Sequence, residues 1–288
     1  MKALAFGEVL WDIYESDKFI GGATLNFAAH FVKCGGSAHI VTAVGDDSLG
    51  AEAVNVIENL GISAEYVSIA ERETGKCLVS LNEKGIPSYN LLSDVAYDYI
   101  KKPDSKGKPW DILYFGTLAL RGDNNKQLIR DIINENSFGN IFVDVNIRAP
   151  FYSAEVLKFA MENASVVKIS DEELPVVMEL IGNTMLSVRE CATKLASDYK
   201  NLKLVLVTCG DKGACVYDCT NGSFYERDAQ KVKLASTVGA GDSFSASFMA
   251  SYLKGGSIEH SLDVATKVSA FVVSNKDAVP EYDLSMIN

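Results

Sequence analysis

The sequence predicts an α/β fold: a central, mostly parallel sheet flanked by helices, with a small β-sheet lid set apart from it. Three observations carry this. Short apolar, β-rich runs alternate with stretches of helical periodicity along most of the chain, which is the rhythm of strand–helix–strand units. Residues 65–92 break that rhythm with three strand-like runs in succession. No repeat, low-complexity segment or Pro-rich linker divides the 288 residues, so a single domain is expected over 1–288.

Taken in order, Lys2 to Leu10 reads as a buried first strand. Thr24 is placed to cap a helix that runs through Cys34 and ends at Gly35-Gly36. A strand over His39 to Val44 and a helix from Asp47 to Leu60, stopped by Gly61, come next. The runs Glu65–Ile69, Lys76–Leu81 and Ser88–Leu92 are strand-like, with Asn82-Glu83-Lys84-Gly85 as a hairpin turn. Such a flap covers a site or forms a dimer surface. The alternation then resumes. Strands are expected over Ile112–Thr117, Ile141–Val145, Val166–Ile169 and Leu204–Cys209, and helices over Asn125–Asn134, Ala154–Glu162 and Ser187–Tyr199. A late hairpin, Ala214–Tyr217 with Phe224-Tyr225, precedes two helices over Ala240–Leu253 and Ile258–Ser274.

The composition is that of a globular protein, 48% apolar and 23% charged. A net charge of −11 argues against a nucleic-acid partner, which it would repel, and restricts anionic ligands to a locally positive pocket. The six cysteines (34, 77, 191, 209, 215 and 219) read as reduced thiols, because a chain of this length needs no staples. The start reads as a first strand and not as a signal peptide, and no apolar run approaches the ~20 residues of a membrane span. No membrane partner and a cytoplasmic location are therefore expected.

The sharpest motif is Ser236-Thr237-Val238-Gly239-Ala240-Gly241-Asp242-Ser243-Phe244, directly before a helical pattern. Its small residues allow close backbone approach, and amides at a helix start favour an anion. Asp242 sits beside that cradle, where accepting a proton from an attacking hydroxyl is a fitting task. A Gly-rich turn with an ordinary first-turn Asp reads the same residues equally well. Gly21-Gly22-Ala23-Thr24-Leu25-Asn26 offers a second close approach and, in Asn26, an amide suited to sugar hydroxyls. The bland alternative is a turn with a helix-start Asn. Asp12, read as lying at the carboxyl end of strand one, is placed to accept bonds from neighbouring hydroxyls. Val207-Thr208-Cys209-Gly210-Asp211-Lys212-Gly213 is a strand entering a two-glycine turn, a nucleotide-pocket wall or simply a β-turn. Asp144-Val145-Asn146-Ile147-Arg148 ends another strand, with Arg148 placed to neutralise a transferring phosphate. Lys168–Glu173 reads first as an acidic helix start. There is no G-x-x-x-x-G-K-[ST], no G-x-G-x-x-G after strand one and no G-x-S-x-G. The three histidines lie far apart in sequence.

Together the two glycine segments, in their order and separation, resemble the paired signatures of the ribokinase-like (PfkB) carbohydrate kinases over nearly the whole chain. The resemblance implies a ribokinase-like fold with lid strands at about 13–20 and 65–95. It implies Asp242 as catalytic base, Gly239, Ala240 and Gly241 as anion hole, and Asp12, Gly21, Gly22 and Asn26 as sugar contacts. Lys168, Thr208, Gly210, Gly213 and Thr237 fall on the nucleotide side. Glu173 matches the acidic end of an Asn-x-x-Glu pattern linked to magnesium, with Ser170 in place of the Asn. ATP and a Mg²⁺ carried mainly by ATP and water are the implied cofactors, and a small sugar is the implied substrate.

Gly7-Glu8-Val9-Leu10-Trp11-Asp12, Ala96-Tyr97-Asp98 and Asp144–Arg148 look like fructokinase segments. Ribokinase, 2-keto-3-deoxygluconate kinase and nucleoside kinase are the alternatives within the family. A non-catalytic sugar or nucleotide sensor uses the same fold. Departures from the pattern are Ser236, where the family carries an Asp associated with potassium, together with Thr266 and Asp277. They leave a K⁺ requirement and the nucleotide preference open.

Overall fold

The computed structural model describes residues 1–81, 87–184 and 187–286. The chain departs from β1 (Lys2–Phe6) sooner than its apolar run suggests. It breaks at Gly7-Glu8 and re-forms as β2 (Leu10–Ile13), which belongs to a different sheet. β3 (Lys18–Gly21) turns back along β2, and the chain then enters α1 (Ala23–Lys33). Thr24 does not cap α1. It lies inside the helix, wholly buried, with its hydroxyl 3.4 Å from the Phe6 carbonyl, and Gly22 takes the cap position without a side-chain bond.

Strand β4 (Ser37–Gly45) leads to α2 (Ser48–Asn59), capped by Asp47, whose carboxylate accepts the Gly50 amide at 2.8 Å. Of the three successive runs, β5 (Val67–Ala70) pairs parallel with β4 at the edge of the main sheet and is not a lid strand. Only β6 (Gly75–Leu81) and β7 (Pro87–Leu91) join β2 and β3, in the order β3-β2-β6-β7. The expected turn at Asn82–Gly85 lies outside the described residues. Cross-strand register puts Asp12, Phe19, Cys77, Val79 and Tyr89 on one face of this small sheet. Phe19 and Tyr89 are more than half exposed there.

The main sheet is completed by β8 (Pro109–Gly116), β9 (Ser137–Asp144), β10 (Val166–Ser170), β11 (Leu204–Thr208), β12 (Ala214–Asp218) and β13 (Phe224–Arg227). Its order is β13-β12-β11-β10-β9-β8-β1-β4-β5, parallel from β5 to β11 with an antiparallel hairpin at the far edge. α3 (Asp123–Glu135), α4 (Ala154–Asn163), α5 (Leu174–Leu180) and α6 (Val188–Asp198) bury their apolar faces on one side. α1, α2, α7 (Ala240–Leu253) and α8 (Ile258–Val273) cover the other. α5 follows directly on the acidic run Asp171–Glu173 that reads as a helix start, but its seven residues are too few to display a period and so to give its extent.

On the α1 side Phe27 stacks on Tyr114 at 3.8 Å. Burying such a ring contributes roughly 1.5–3 kcal/mol. α7 is apolar or small nearly all round and buried from Ser243 to Ala250, as expected of a helix packed on every side. The chain runs outward from β1 to β4 and β5 and then returns to β8 on the other flank of β1. That reversal makes a switch point, and its crevice opens at the carboxyl ends of β1 and β8.

Candidate active site

The two glycine segments, more than two hundred residues apart in sequence, meet at this crevice. Asn26, in the first turn of α1, donates from Nδ2 to Asp242 Oδ2 at 2.8 Å. Gly22 takes φ 111° there, and a side chain at that position would lie 2.5 Å from the Glu8 carbonyl. Gly239 adopts φ 79° at the cap of α7, with the Ala278 carbonyl 2.5 Å from where a Cβ would stand. Only glycine turns the chain into the helix here without strain. The Ala240 amide turns back to the Thr237 carbonyl at 3.3 Å. The Gly241 and Asp242 amides fall in the first turn, where the helix offers them no acceptor.

Asp242 is only partly buried, as a group that must reach a ligand needs to be. Desolvation raises its pKa above the ordinary aspartate value, while the Asn26 bond, Lys168 and Arg148 pull it back. Lys168, in the middle of β10, supplies the positive charge from below. Its Nζ bonds both oxygens of Asp144 at 3.0 and 3.2 Å, both side chains are buried, and the ammonium lies 2.8 Å from where a Cβ on Gly241 would be. Burial works against the ammonium. Asp144, Glu173 and Asp242 together outweigh it and hold Lys168 above the usual lysine range. Burial likewise pushes Asp144 up to about 6, with Lys168 opposing. The pair is therefore charged at neutral pH, and Ser245 Oγ stands 3.3 Å from Asp144 Oδ2.

Beyond β9 the chain turns at Asn146, a non-glycine residue with φ 36°. Arg148 follows, exposed and without a salt-bridge partner among the described residues. Its charge lowers the pKa of Asp242, Asp12 and Glu8 alike, so it lies within electrostatic reach of all three. Asp12 does not sit at a main-sheet strand end as the sequence suggested. It lies within β2 of the small sheet, opposite Phe19 and Cys77, with Gly21 packed beside its carboxylate. Burial raises its pKa, and a hydrogen bond from the Cys77 thiol and the Arg148 charge moderate the rise.

Thr208 ends β11, two strands from β9 along the same edge, and Gly210 (φ 55°) and Gly213 (φ 105°) shape the turn that follows. A side chain at Gly213 would collide with the Arg227 carbonyl. Thr237 is exposed in the loop ahead of α7. Glu173 points both oxygens at backbone amides, Ile147 at 2.8 Å and Ser170 at 2.8 Å, and so braces the loops after β9 and β10. Among the described residues no three His, Cys, Asp or Glu side chains gather as a metal-ligand set.

Three residues of this site were not singled out from the sequence. Asp144 stood in a quoted strand end, where a buried acid after an apolar run was the available signal. Glu8 is 3% exposed, accepts the Ala23 amide at 2.9 Å and has a second oxygen with no partner. Burial drives its pKa up to about 7. Arg121 forms two 2.7 Å bonds to Asp98 and one of 2.8 Å to the Leu92 carbonyl, and it lies over Tyr97 at the root of the small sheet.

The pfkB family carbohydrate kinase model matches residues 6–283. A probable fructokinase-5 of Arabidopsis thaliana is 26% identical, over 96% of this chain and 93% of its own. A fructokinase of Escherichia coli is also 26% identical, over 96% and 95%. Among solved structures, Vibrio cholerae fructokinase in its fructose, ADP and calcium ion bound form superposes with a TM-score of 0.83 at 20% identity, over 99% of this chain and 97% of that one. Aminoimidazole riboside kinase from Salmonella enterica gives 0.82 at 17%, over 100% and 98%. The nine-stranded sheet with its separate four-stranded sheet is thus a ribokinase-like fold, and the chain belongs to the pfkB family of carbohydrate kinases.

Proposed function

We propose that this sugar kinase transfers the γ-phosphoryl group of ATP to a hydroxyl of fructose, with Asp242 as the base. The observation that carries this is the Asn26–Asp242 bond. It fixes a partly buried carboxylate at the start of α7, next to unsatisfied amides and above a buried ammonium. The sugar lies between the small sheet and α1, held by Asp12 and Asn26 with the backbone of Gly21 and Gly22. Asp242 removes the hydroxyl proton as the oxygen attacks in line. The amides of Gly239 and Gly241, that of Ala240 once it leaves the Thr237 carbonyl, and the Arg148 guanidinium offset charge on the moving phosphoryl group. ATP runs along the edge formed by Lys168, Thr208, Gly210, Gly213 and Thr237. A magnesium ion, held mainly by phosphate oxygens and water on the Glu173 side, would supply further charge neutralisation. Closure of the small sheet over the sugar excludes water. Fructose is favoured by the names of the curated relatives and by the ligand of the superposed Vibrio structure.

The test is ADP release from Mg-ATP over fructose, ribose, 2-keto-3-deoxygluconate and adenosine, with and without potassium. Strong turnover on fructose alone is expected. Turnover on another member instead removes fructose and keeps the chemistry. Gly239→Ala tests the anion hole separately. Its positive φ and the Ala278 carbonyl force a local shift, and a displacement of about 1 Å costs on the order of 10²-fold in rate. The expected result is that loss in kcat with sugar KM little changed, and an unaltered kcat would show that the α7 start takes no part.

A further inference from the structure

The backbone passes between the main sheet and the small sheet four times, and the crossings are packed against one another. The first is Gly7-Glu8-Val9 and the second is Gly22, whose absent side chain lets the Glu8 carbonyl approach. The third enters β6 at Gly75, where a Cβ would strike both the Val9 carbonyl and the Tyr97 ring. The fourth leaves β7 toward Leu92, whose carbonyl Arg121 holds. Glu8 is the side chain that fastens the first crossing to the second, through its 2.9 Å bond from the Ala23 amide.

At the close of that first turn of α1, Asn26 donates its amide to the Gly22 carbonyl at 3.0 Å and its side chain to Asp242. The path from Glu8 to the base is therefore short and fully bonded: Glu8, the first turn of α1, Asn26, Asp242. A cap made only for helix stability has no need of this position. An N-cap side chain serves the second or third amide of a helix, and Gly22 has no room for one; Glu8 reaches the first amide, that of Ala23, from across the crossing and buries a carboxyl to do so. Its second oxygen has no protein partner, a costly arrangement to keep in a core.

We propose that Glu8 is a positioning residue for phosphoryl transfer: by tying the exit of β1 to the start of α1 it holds Asn26, and through it Asp242, in register with the sugar seat formed by the small sheet. The proposal rests on the kinase reading given above. Charged and titratable groups acting on or influenced by Glu8 come from every neighbouring element. They are Asp242 of α7, Arg148 after β9, Tyr97 and Arg121 at the root of the small sheet, and Tyr114 of β8.

The experiment compares wild type with Glu8→Ala, Glu8→Asp and Glu8→Gln by two readouts. Amide hydrogen exchange across residues 23–27 reports the tie without any need for catalysis. Steady-state kinetics with the best sugar and Mg-ATP report its consequence. Glu8→Ala, and Glu8→Asp with its shorter reach, are expected to speed exchange in that segment and to lower kcat/KM for sugar by about 10²-fold, with KM for ATP within about twofold. Glu8→Gln keeps the acceptor and the length and is expected to restore slow exchange and most of the activity. Should Glu8→Ala fail to fold, the contrast between Glu8→Asp and Glu8→Gln reads the same difference. Unchanged exchange in Glu8→Asp overturns the tie. Faster exchange with unchanged kinetics overturns its role in the reaction. A wild type without turnover on any sugar removes the kinase reading itself, which the exchange data do not touch.

Discussion

Asp242→Asn is expected to fold as wild type and to lose about 10²–10⁴ in kcat, the range for removal of a general base. The substitution preserves volume, and the new carboxamide oxygen still accepts the Asn26 Nδ2 proton, so the observed 2.8 Å link survives. What disappears is the capacity to take up the hydroxyl proton. KM for the sugar should move little, because the seat formed by Asp12 and the Gly21-Gly22 backbone is intact. Single-turnover phosphoryl transfer is the decisive measurement, since it isolates chemistry from product release. Unchanged transfer would remove Asp242 from the reaction.

Wild type should also lose activity on the acid side at a pH above that of an ordinary aspartate. The base works ionised, and desolvation raises its pKa while Asn26, Lys168 and Arg148 restrain the rise. The Asn variant should lack that limb.

How much of this could be read beforehand divides along one physical line, the difference between local and non-local information. The α7 start is legible because Gly239, Gly241 and Asp242 fall within four consecutive residues. The same holds for the helix over Ala240–Leu253, whose observed bounds coincide with the expected ones. The family resemblance came from two such local segments and their separation. The departure of the chain at Gly7-Glu8 was hidden because the apolar run continues into β2, and nothing local says that Leu10 changes sheets. The β5 run reads as a lid strand for a related reason. Three consecutive strands look alike in sequence, yet the first pairs with β4 and the others with β2. Thr24 has the right type for a cap, but the positive φ of Gly22 had already started the helix. The ionic partners Lys168–Asp144 and Arg121–Asp98 are more than twenty residues apart, and no spacing rule links them.

The Lys168–Asp144 pair leads to the second large effect. Lys168→Met is expected to destabilise the protein by about 3–5 kcal/mol at neutral pH, because it leaves a buried carboxylate without its counter-charge. Wild-type Asp144 already sits at about 6 through burial, restrained by the lysine. Without the lysine its folded pKa rises further above the unfolded value. The sign follows: a carboxyl with a raised folded pKa is tolerated at low pH, and stability is lost as pH rises through that pKa. Urea unfolding of the variant should therefore show a smaller deficit at pH 5 than at pH 8. The paired change Lys168→Met with Asp144→Leu removes both charges and should recover most of the stability, as buried ion pairs replaced by apolar residues commonly do.

It should not recover activity. Lys168 is one of the charges that holds down the Asp242 pKa, and its ammonium stands against Gly241 at the helix start. In the double variant kcat should be reduced even on the plateau; the acid limb should move little, because Asp144, whose charge repels that of Asp242, leaves together with the lysine. A stable double variant with wild-type kcat would mean that the lysine serves the fold alone. Stability regained without activity would assign its charge to the reaction.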